Sequence, residues 1–433
     1  MIWSKNETVT RQEMETIQLE RLKKTVNRMY EKNVPYREKM VRANIKPEDI
    51  NTLDDLKRLP FTTKDDLREN YPYGYLSSPK KDIVRIHASS GTTGKPTVVG
   101  YTKKDLNTWT DLVTRIAVMG GATNDDVAQV CFGYGMFTGA LGLHYGLENL
   151  GAIVAPASSG NTEKQIMYMK DFSSTLLVAT PSYALHIAEV AKSMGIDPAK
   201  DLQVKTGLFG GEGMTESMRD EMHRLWGEDM NATQNYGMSE LMGPGISGEC
   251  LQLQGMHINE DDFIPEIINS DTGEVLPPGE QGELVISCIN KEGLPLIRYR
   301  TKDISSLMYE PCKCGRTTVR MENIKGRSDD MLLIRGVNVF PSQIEEIILK
   351  VSGIGPHYEI VVNRINHLDC IEIKVELCDD NKLDLYSQLK ELEVEIKRKI
   401  RTVLGLSANV KLVAPHSLRR FEGKAKRVVD LRK

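Results

Sequence analysis

Between residues 104 and 320 the chain alternates helical stretches with short β-branched runs, at 126–131, 152–156, 175–179 and 206–210, and glycine, serine or proline closes most of those runs. The pattern therefore predicts an α/β domain whose strand-end loops can build a ligand site. After Gly279 the pattern turns to strands, at Gly282 to Cys288 and at Leu296 to Arg300. Near the start, Met14, Ile17, Leu22, Val26 and Met29 recur at close to helical spacing, so residues 10–33 read as an amphipathic helix.

A chain of 433 residues is too long for one core at roughly 100–200 residues per domain. The C-terminal part has its own rhythm. A strand at Met331 to Ile334 precedes a helix entered at Pro341. There Ser342 and Glu345 have capping-box spacing, and Ile344, Ile347, Ile348 and Val351 share one face. Strands at 359–364 and 370–377, a helix carrying Leu385, Leu389, Leu392, Ile396 and Ile400, and a strand at 409–413 complete a β-α-β-β-α-β order, the split βαβ arrangement. The boundary is expected in KGRSDD, dividing the chain into residues 1–326 and 327–433.

Charge narrows the partners. With 56 basic and 60 acidic residues the net charge is −4, which offers nucleic acid no attractive field. No apolar run approaches the ~20 residues that span a bilayer. The opening MIWSKNETVTRQEMET lacks the apolar core of a signal peptide, so a cytoplasmic protein without membrane or nucleic-acid partners is expected. Seven cysteines in such a chain are not a disulfide framework. Cys131, Cys288, Cys370 and Cys378 lie in apolar or strand-like runs and read as core or half-buried thiols.

Several stretches are too polar or too rich in glycine to be explained by packing. HASSGTTGKPTVVGYT (87–102) is not a nucleotide P-loop: Thr92 and Thr93 alone separate Gly91 from Gly94, and Pro96 after Lys95 opposes a helix start. It reads as strand, hydroxyl-rich turn, strand, either a hairpin that offers donors to a polyphosphate or an ordinary surface turn. LFGGEGMT (208–215) places glycines where backbone can lie flat against a planar ring. NYGMSE (235–240) ends in Glu240, either an Mg²⁺ ligand beside phosphates or a surface carboxylate. GPGISG (243–248) matches the dinucleotide fingerprint in letters only, since Pro244 occupies the turn and no helix follows. Cys250 and His257 precede Cys312-Lys313-Cys314, and three thiolates with one imidazole suit a closed, structural Zn²⁺ site. A satisfied core histidine is the alternative for His257.

Together these segments resemble the adenylate-forming enzymes, and most closely the phenylacetate-coenzyme A ligase family. The likeness runs nearly end to end, through NYPYGY, RIHASSGTTGKPTVVGYT, GYGMFTGALGLHYG, TPSYAL, YGMSELMGPG, LPLIRYRTKD, GRSDDMLLIRGVNVFPSQIEE and FEGKAKRVVDLR. It implies a large multi-subdomain adenylation domain with a small mobile C-terminal domain. The reaction implied has two steps: a carboxylate attacks the α-phosphate of ATP to give an acyl-adenylate, then the thiol of coenzyme A displaces AMP.

The resemblance also implies roles. Ser89, Ser90, Gly91, Thr92, Thr93, Gly94 and Lys95 would grip the β- and γ-phosphates. Gly210, Gly211, Glu212, Asn235 and Tyr236, with Gly237, Met238 and Ser239 beyond them, would frame the nucleotide. Asp303 and Arg327 would hold the ribose, and Glu240 would ligate Mg²⁺. Lys424 would bridge the acyl carboxylate and α-phosphate, although Arg419, Arg420, Lys426 and Arg427 around it read, by themselves, as a solvated basic tail. Asp329 would be the hinge, and rotation there would exchange Lys424 for Arg335 and Gly336 beside the pantetheine tunnel. Tyr134, Phe137, Ala140 and Pro244 would line the acid pocket, or simply form aromatic core. Ala140, Gly211 and Gly213 depart from the family's usual residues, which leaves the acid open. A homodimer is the implied assembly. Transfer to an amine or a carrier-protein thiol, and a catalytically silent acyl or nucleotide sensor, are the competing functions; Lys424, Glu240 and the complete phosphate loop argue against the sensor.

Overall fold

Thr10 accepts the Glu13 amide while Glu13 accepts the Thr10 amide at 2.8 Å, and this reciprocal cap starts the first helix, Arg11–Lys32. Its Leu22, Val26 and Met29 are fully buried, as their spacing requires. The computed structural model describes residues 1–89, 96–328, 332–334, 337–365, 368–378, 386–421 and 425–432.

The expected α/β alternation produces the central layer, a nine-stranded sheet. Ile153–Ala155, Val127–Val130, Leu176–Ala179, Thr206–Phe209 and Asn231–Tyr236 run parallel in that spatial order. Ser247–Glu249, Met256–Ile258, Arg320–Met321 and Leu307–Met308 extend the sheet in antiparallel fashion. Helices Pro181–Ser193 and Glu216–Trp226 pack an apolar cluster on one face, around Tyr183, Phe209 and Trp226. Helices Lys103–Met119 and Gly139–Leu150 share the larger cluster with Leu208, Val130 and Leu176.

A second, four-stranded sheet joins Phe263–Ile268, Gly282–Cys288, Tyr299–Ser305 and Gly326–Arg327. The run expected at Leu296 to Arg300 becomes a strand only from Tyr299. Arg298 holds a left-handed φ of 48°, and its guanidinium forks onto the buried Glu266 carboxylate with both contacts at 3.0 Å. This buried pair pins the chain before the strand begins. Continuing to Ser305, the strand brings Asp303 opposite Arg327, so Arg327 is still part of this sheet.

In the C-terminal part the helices Pro341–Leu349 and Tyr386–Leu404 cover a four-stranded sheet ordered Asn409–Val413, Leu368–Leu377, Ile354–Ile365, Val428–Asp430. Two details differ from the split βαβ reading. Leu332–Ile334 pairs with Val337–Val339 in a separate hairpin, and the fourth strand of the sheet is Val428–Asp430, parallel to Ile354–Ile365. A three-residue strand that turns back at once pairs more readily with its own continuation than with a distant edge. The helix entry also differs. Phe340 is the N-cap residue and Gln343 accepts its amide at 3.0 Å, while Ser342 donates to the Lys325 carbonyl and Glu345 is buried beside Arg427. Cys131 and Cys288 are buried and Cys370 half-buried, but Cys378, at the end of its strand, is exposed. No described helix is long and apolar enough to cross a membrane.

Candidate active site

The parallel strands end on one side of the sheet, and their outgoing loops carry most of the expected site. Thr206–Phe209 leads into Gly210, Gly211 and Glu212, and Asn231–Tyr236 leads into Gly237. Asn235 donates to the Phe209 carbonyl at 2.9 Å, and a Cβ on Gly210 would lie 2.5 Å from Asn235 Oδ1, so the two loops pack backbone to side chain with no room for more. Gly211 sits at φ +80°, a conformation glycine adopts without cost. Tyr236 donates to Asp303 Oδ2 at 2.6 Å, and Arg327 pairs with Asp303 Oδ1 at 3.2 Å. Burial and the Asp303 charge push the Tyr236 phenol far above its ordinary pKa, so it stays a donor.

A second cluster forms around the glycine-rich hairpin. Ile83–Ala88 and Val98–Thr102 pair antiparallel, as the sequence predicts. Of the phosphate-loop residues, Ser90, Gly91, Thr92, Thr93, Gly94 and Lys95 lie outside the described residues, whereas Ser89 lies 2.5 Å from Thr97 Oγ1. Thr97 in turn donates to Glu240 Oε1 at 2.8 Å, and Lys64 Nζ stands 3.9 Å from the same oxygen. Glu240 is therefore no surface carboxylate. It is buried in the turn Ser239–Leu241 and wired to the base of the hairpin. Thr97 and Lys64 carried no signal of their own, because only folding brings residues so far apart in sequence to one carboxylate.

Beside it, Gly237 and Met238 lie directly against Gly243 and Pro244: a Cβ on Gly243 would sit 2.1 Å from the Met238 nitrogen. Ser239 approaches Thr138 Oγ1 at 3.2 Å. The expected acid-pocket residues divide. Pro244 is held by Trp109, whose indole donates to its carbonyl at 2.8 Å, and Ala140 is buried two residues before Gly142, where a Cβ would meet both Trp109 and Pro244. Tyr134 is half-buried with its hydroxyl 3.0 Å from His144 Nδ1, and Phe137 is 54% exposed.

The C-terminal part reaches the same loops. Ala425 donates its amide to Glu212 Oε1, and Arg427 contacts Ser182 Oγ at 3.3 Å. Lys424, Asp329, Arg335 and Gly336 lie outside the described residues. Of the basic residues around Lys424, Arg419 and Lys426 are exposed, whereas Arg420 pairs with Glu376 at 2.7 Å, Arg427 stacks on Tyr358 at 4.4 Å, and residues 428–430 join the sheet.

Away from these loops, Cys250, His257, Cys312 and Cys314 present four ligand atoms within 4.8 Å of one another. Cys250 and Cys312 sulfurs are 3.7 Å apart and Cys314 Sγ is 3.3 Å from His257 Nε2. A tetrahedron with ~2.3 Å metal–sulfur and ~2.0 Å metal–nitrogen bonds has edges of roughly 3.5–3.8 Å, close to this spacing. Thr318 Oγ1 lies 3.0 Å from His257 Nδ1, which orients Nε2 toward the sulfurs. Burial, aided by Arg316 and Arg320, pushes the imidazole down to about 3, so it is neutral as a ligand must be. Burial also pushes the Cys250 thiol up to about 12, and a divalent ion would reverse that.

Residues 9–290 match the family model described as AMP-binding enzyme, and residues 336–432 match the AMP-binding enzyme C-terminal domain. The fold superposes on a crystal structure of 2-hydroxyisobutyryl-CoA ligase in its postadenylation state with a TM-score of 0.92, at 28% identity, covering 98% of this chain and 91% of that one. Against the same ligase in its thioesterification state the TM-score is 0.73, at 28% identity and 99% and 92% coverage. The large α/β domain with its smaller C-terminal unit, taken with these matches, places the chain among the AMP-forming acid–thiol ligases. In sequence, the chain is 46% identical over 430 residues to a phenylacetate-coenzyme A ligase of Aromatoleum evansii, covering 98% of this chain and 96% of that protein. It is 46% identical over 429 residues to the enzyme of that name from Escherichia coli K12, with 98% and 97% coverage. The chain belongs to the phenylacetate-coenzyme A ligase family.

Proposed function

We propose that this protein joins an aryl carboxylic acid, phenylacetate first among the candidates, to coenzyme A. In the first step a carboxylate oxygen attacks the α-phosphorus of ATP, the bond to the β-phosphate oxygen breaks, and pyrophosphate leaves. In the second, the thiolate of coenzyme A attacks the acyl carbon and AMP leaves. The carrying observation is the paired arrangement at the strand ends: Tyr236, Asp303 and Arg327 form one polar cluster, and buried Glu240 with Thr97 and Ser89 forms another on the hairpin.

In this reading Asp303 accepts the ribose hydroxyls, oriented by Tyr236 and Arg327, while the Gly210–Gly211 and Asn235–Tyr236 backbones frame adenine. Ser89 to Lys95 hold the β- and γ-phosphates. Glu240 would hold Mg²⁺, which supplies charge neutralisation at the phosphates when bound. Lys424 offsets negative charge where one anion must approach another. Tyr134, Ala140 and Pro244 bound the acid, with Phe137 at its open edge. The chain beyond Asp329 turns about that residue between the two steps, bringing Arg335 and Gly336 to the thiol side. The difference between the two superpositions supports that motion. The Cys250, His257, Cys312 and Cys314 cluster would hold a structural Zn²⁺.

The test supplies ATP, Mg²⁺, phenylacetate and coenzyme A and follows AMP and phenylacetyl-coenzyme A together. Equal formation of both is expected, whereas pyrophosphate release without thioester would move the acceptor to an amine or a carrier thiol. Tyr236→Phe removes a hydrogen bond to a charged acceptor, and steady-state kinetics should show the KM for ATP raised by about tenfold. An unchanged KM would remove Asp303 from the ribose site.

A further inference from the structure

Glu212 stands in the loop expected to frame adenine, yet both of its carboxylate oxygens face protein groups. Oε2 accepts from Ser182 Oγ at 2.5 Å, and Oε1 accepts from the amide of Ala425, the residue that follows Lys424 in the chain. Ser182 also meets Arg427 Nη2 at 3.3 Å. That guanidinium lies 3.5 Å from Glu345 and stacks over Tyr358 at 4.4 Å, both within the C-terminal part, and its Nη1 reaches the Pro356 carbonyl at 3.4 Å. One continuous set of contacts therefore runs from the nucleotide loop, through the first turn of helix Pro181–Ser193, to the segment on either side of Arg427.

We infer that Glu212 is a positioning residue for adenylation: with Ser182 and Arg427 it clamps the segment from Ala425 to Arg427, which follows Lys424 in the chain, onto the nucleotide loop, and the clamp must open before thioester formation. Two hydrogen bonds to different oxygens of one planar carboxylate fix both its position and its orientation, so the seat they give is directional. Arg427 is suited to its end of the clamp because its fork is satisfied on the C-terminal side by Glu345 while one nitrogen remains directed at Ser182. A second tie lies elsewhere, where His357 Nε2 stands 3.0 Å from both Glu189 oxygens. Loss of Glu212 thus loosens the segment from Ala425 to Arg427 without releasing the whole unit.

The inference rests on the proposed adenylation role of Lys424, and the test separates the two. ATP–pyrophosphate exchange with phenylacetate reports the first half-reaction, and thioester formation from synthetic phenylacetyl-adenylate and coenzyme A reports the second. Glu212→Ala is expected to lower the exchange kcat by about tenfold, with the KM for ATP and the second half-reaction each held within about twofold. Ser182→Ala, a smaller change, should shift the same quantity in the same direction. A raised KM for ATP with unchanged kcat would make Glu212 an adenine contact and overturn the clamp. Equal loss of both half-reactions would make it merely structural and overturn it as well. If the unaltered protein shows no exchange with any aromatic acid, the proposed function fails on its own. The clamp is then judged by the distance between spin labels on the two parts of the chain, which Glu212→Ala should broaden and which an unchanged distribution would refute.

Discussion

Lys424→Ala should lose at least about 10²-fold in adenylation, the scale seen when one electrostatic stabiliser of a developing charge is removed. The first step brings a carboxylate toward a triphosphate, so the barrier is largely repulsion between anions. A lysine between them lowers it only while it is held there. The second step starts from a neutral acyl carbon and has no such need. Exchange of pyrophosphate into ATP should therefore collapse in the variant, while thioester formation from pre-made acyl-adenylate survives much better. Equal losses would refute the rotation of the C-terminal part between steps. Seating of the flanking residues fits the first demand: Ala425 is bonded to Glu212, and Arg427 is held by Glu345 and Tyr358.

Cys312→Ser should abolish metal binding and lower the unfolding temperature by about 5 °C or more. Structural zinc sites in small domains contribute ~10–16 kcal/mol of apparent binding free energy, and only a small part need couple to this much larger fold. At about 2 °C per kcal/mol for a large domain, a loss of a few kcal/mol gives that shift. The consequences extend beyond the knuckle, because Arg316, two residues from Cys314, is paired with the buried Glu7 and donates a second bond to the Met1 carbonyl at 2.8 Å. The N-terminal segment is thus fastened through the same loop. Metal analysis of chelator-washed protein should find about one zinc per chain in the unaltered protein and none in the variant. Finding none in the unaltered protein would sink the assignment.

The sequence foretold strands at Val127–Val130, Leu176–Ala179 and Thr206–Phe209 because their residues are apolar and meet turn-formers at their ends. It gave no sign of Asn231–Tyr236. Those residues, NATQNY, are polar, yet the strand lies within the sheet with Thr233, Gln234 and Asn235 buried. Their polar groups are satisfied from other elements: Glu249 accepts the Gln234 amide at 2.7 Å, and Gln234 accepts the Met214 amide at 2.9 Å. A strand that helps to build a polar site breaks the apolar rule by which strands are recognised. Val428–Asp430 was hidden for another reason, since its basic neighbours suggest solvent until Glu345, Glu376 and Tyr358 are folded around them.

By itself the sequence determined the α/β class, the glycine-rich hairpin that is not a P-loop, the cysteine and histidine set, and the chemistry its motifs resemble. These depend on local spacing and residue type, which a linear chain displays. Only the tertiary structure decided that Glu240 is buried and tied to Thr97, that Asp303 faces Tyr236 and Arg327, and that Glu212 is bonded to the segment beside Lys424. Each of those contacts joins residues far apart in the chain, and their partners are set by how strands and domains pack rather than by any local pattern.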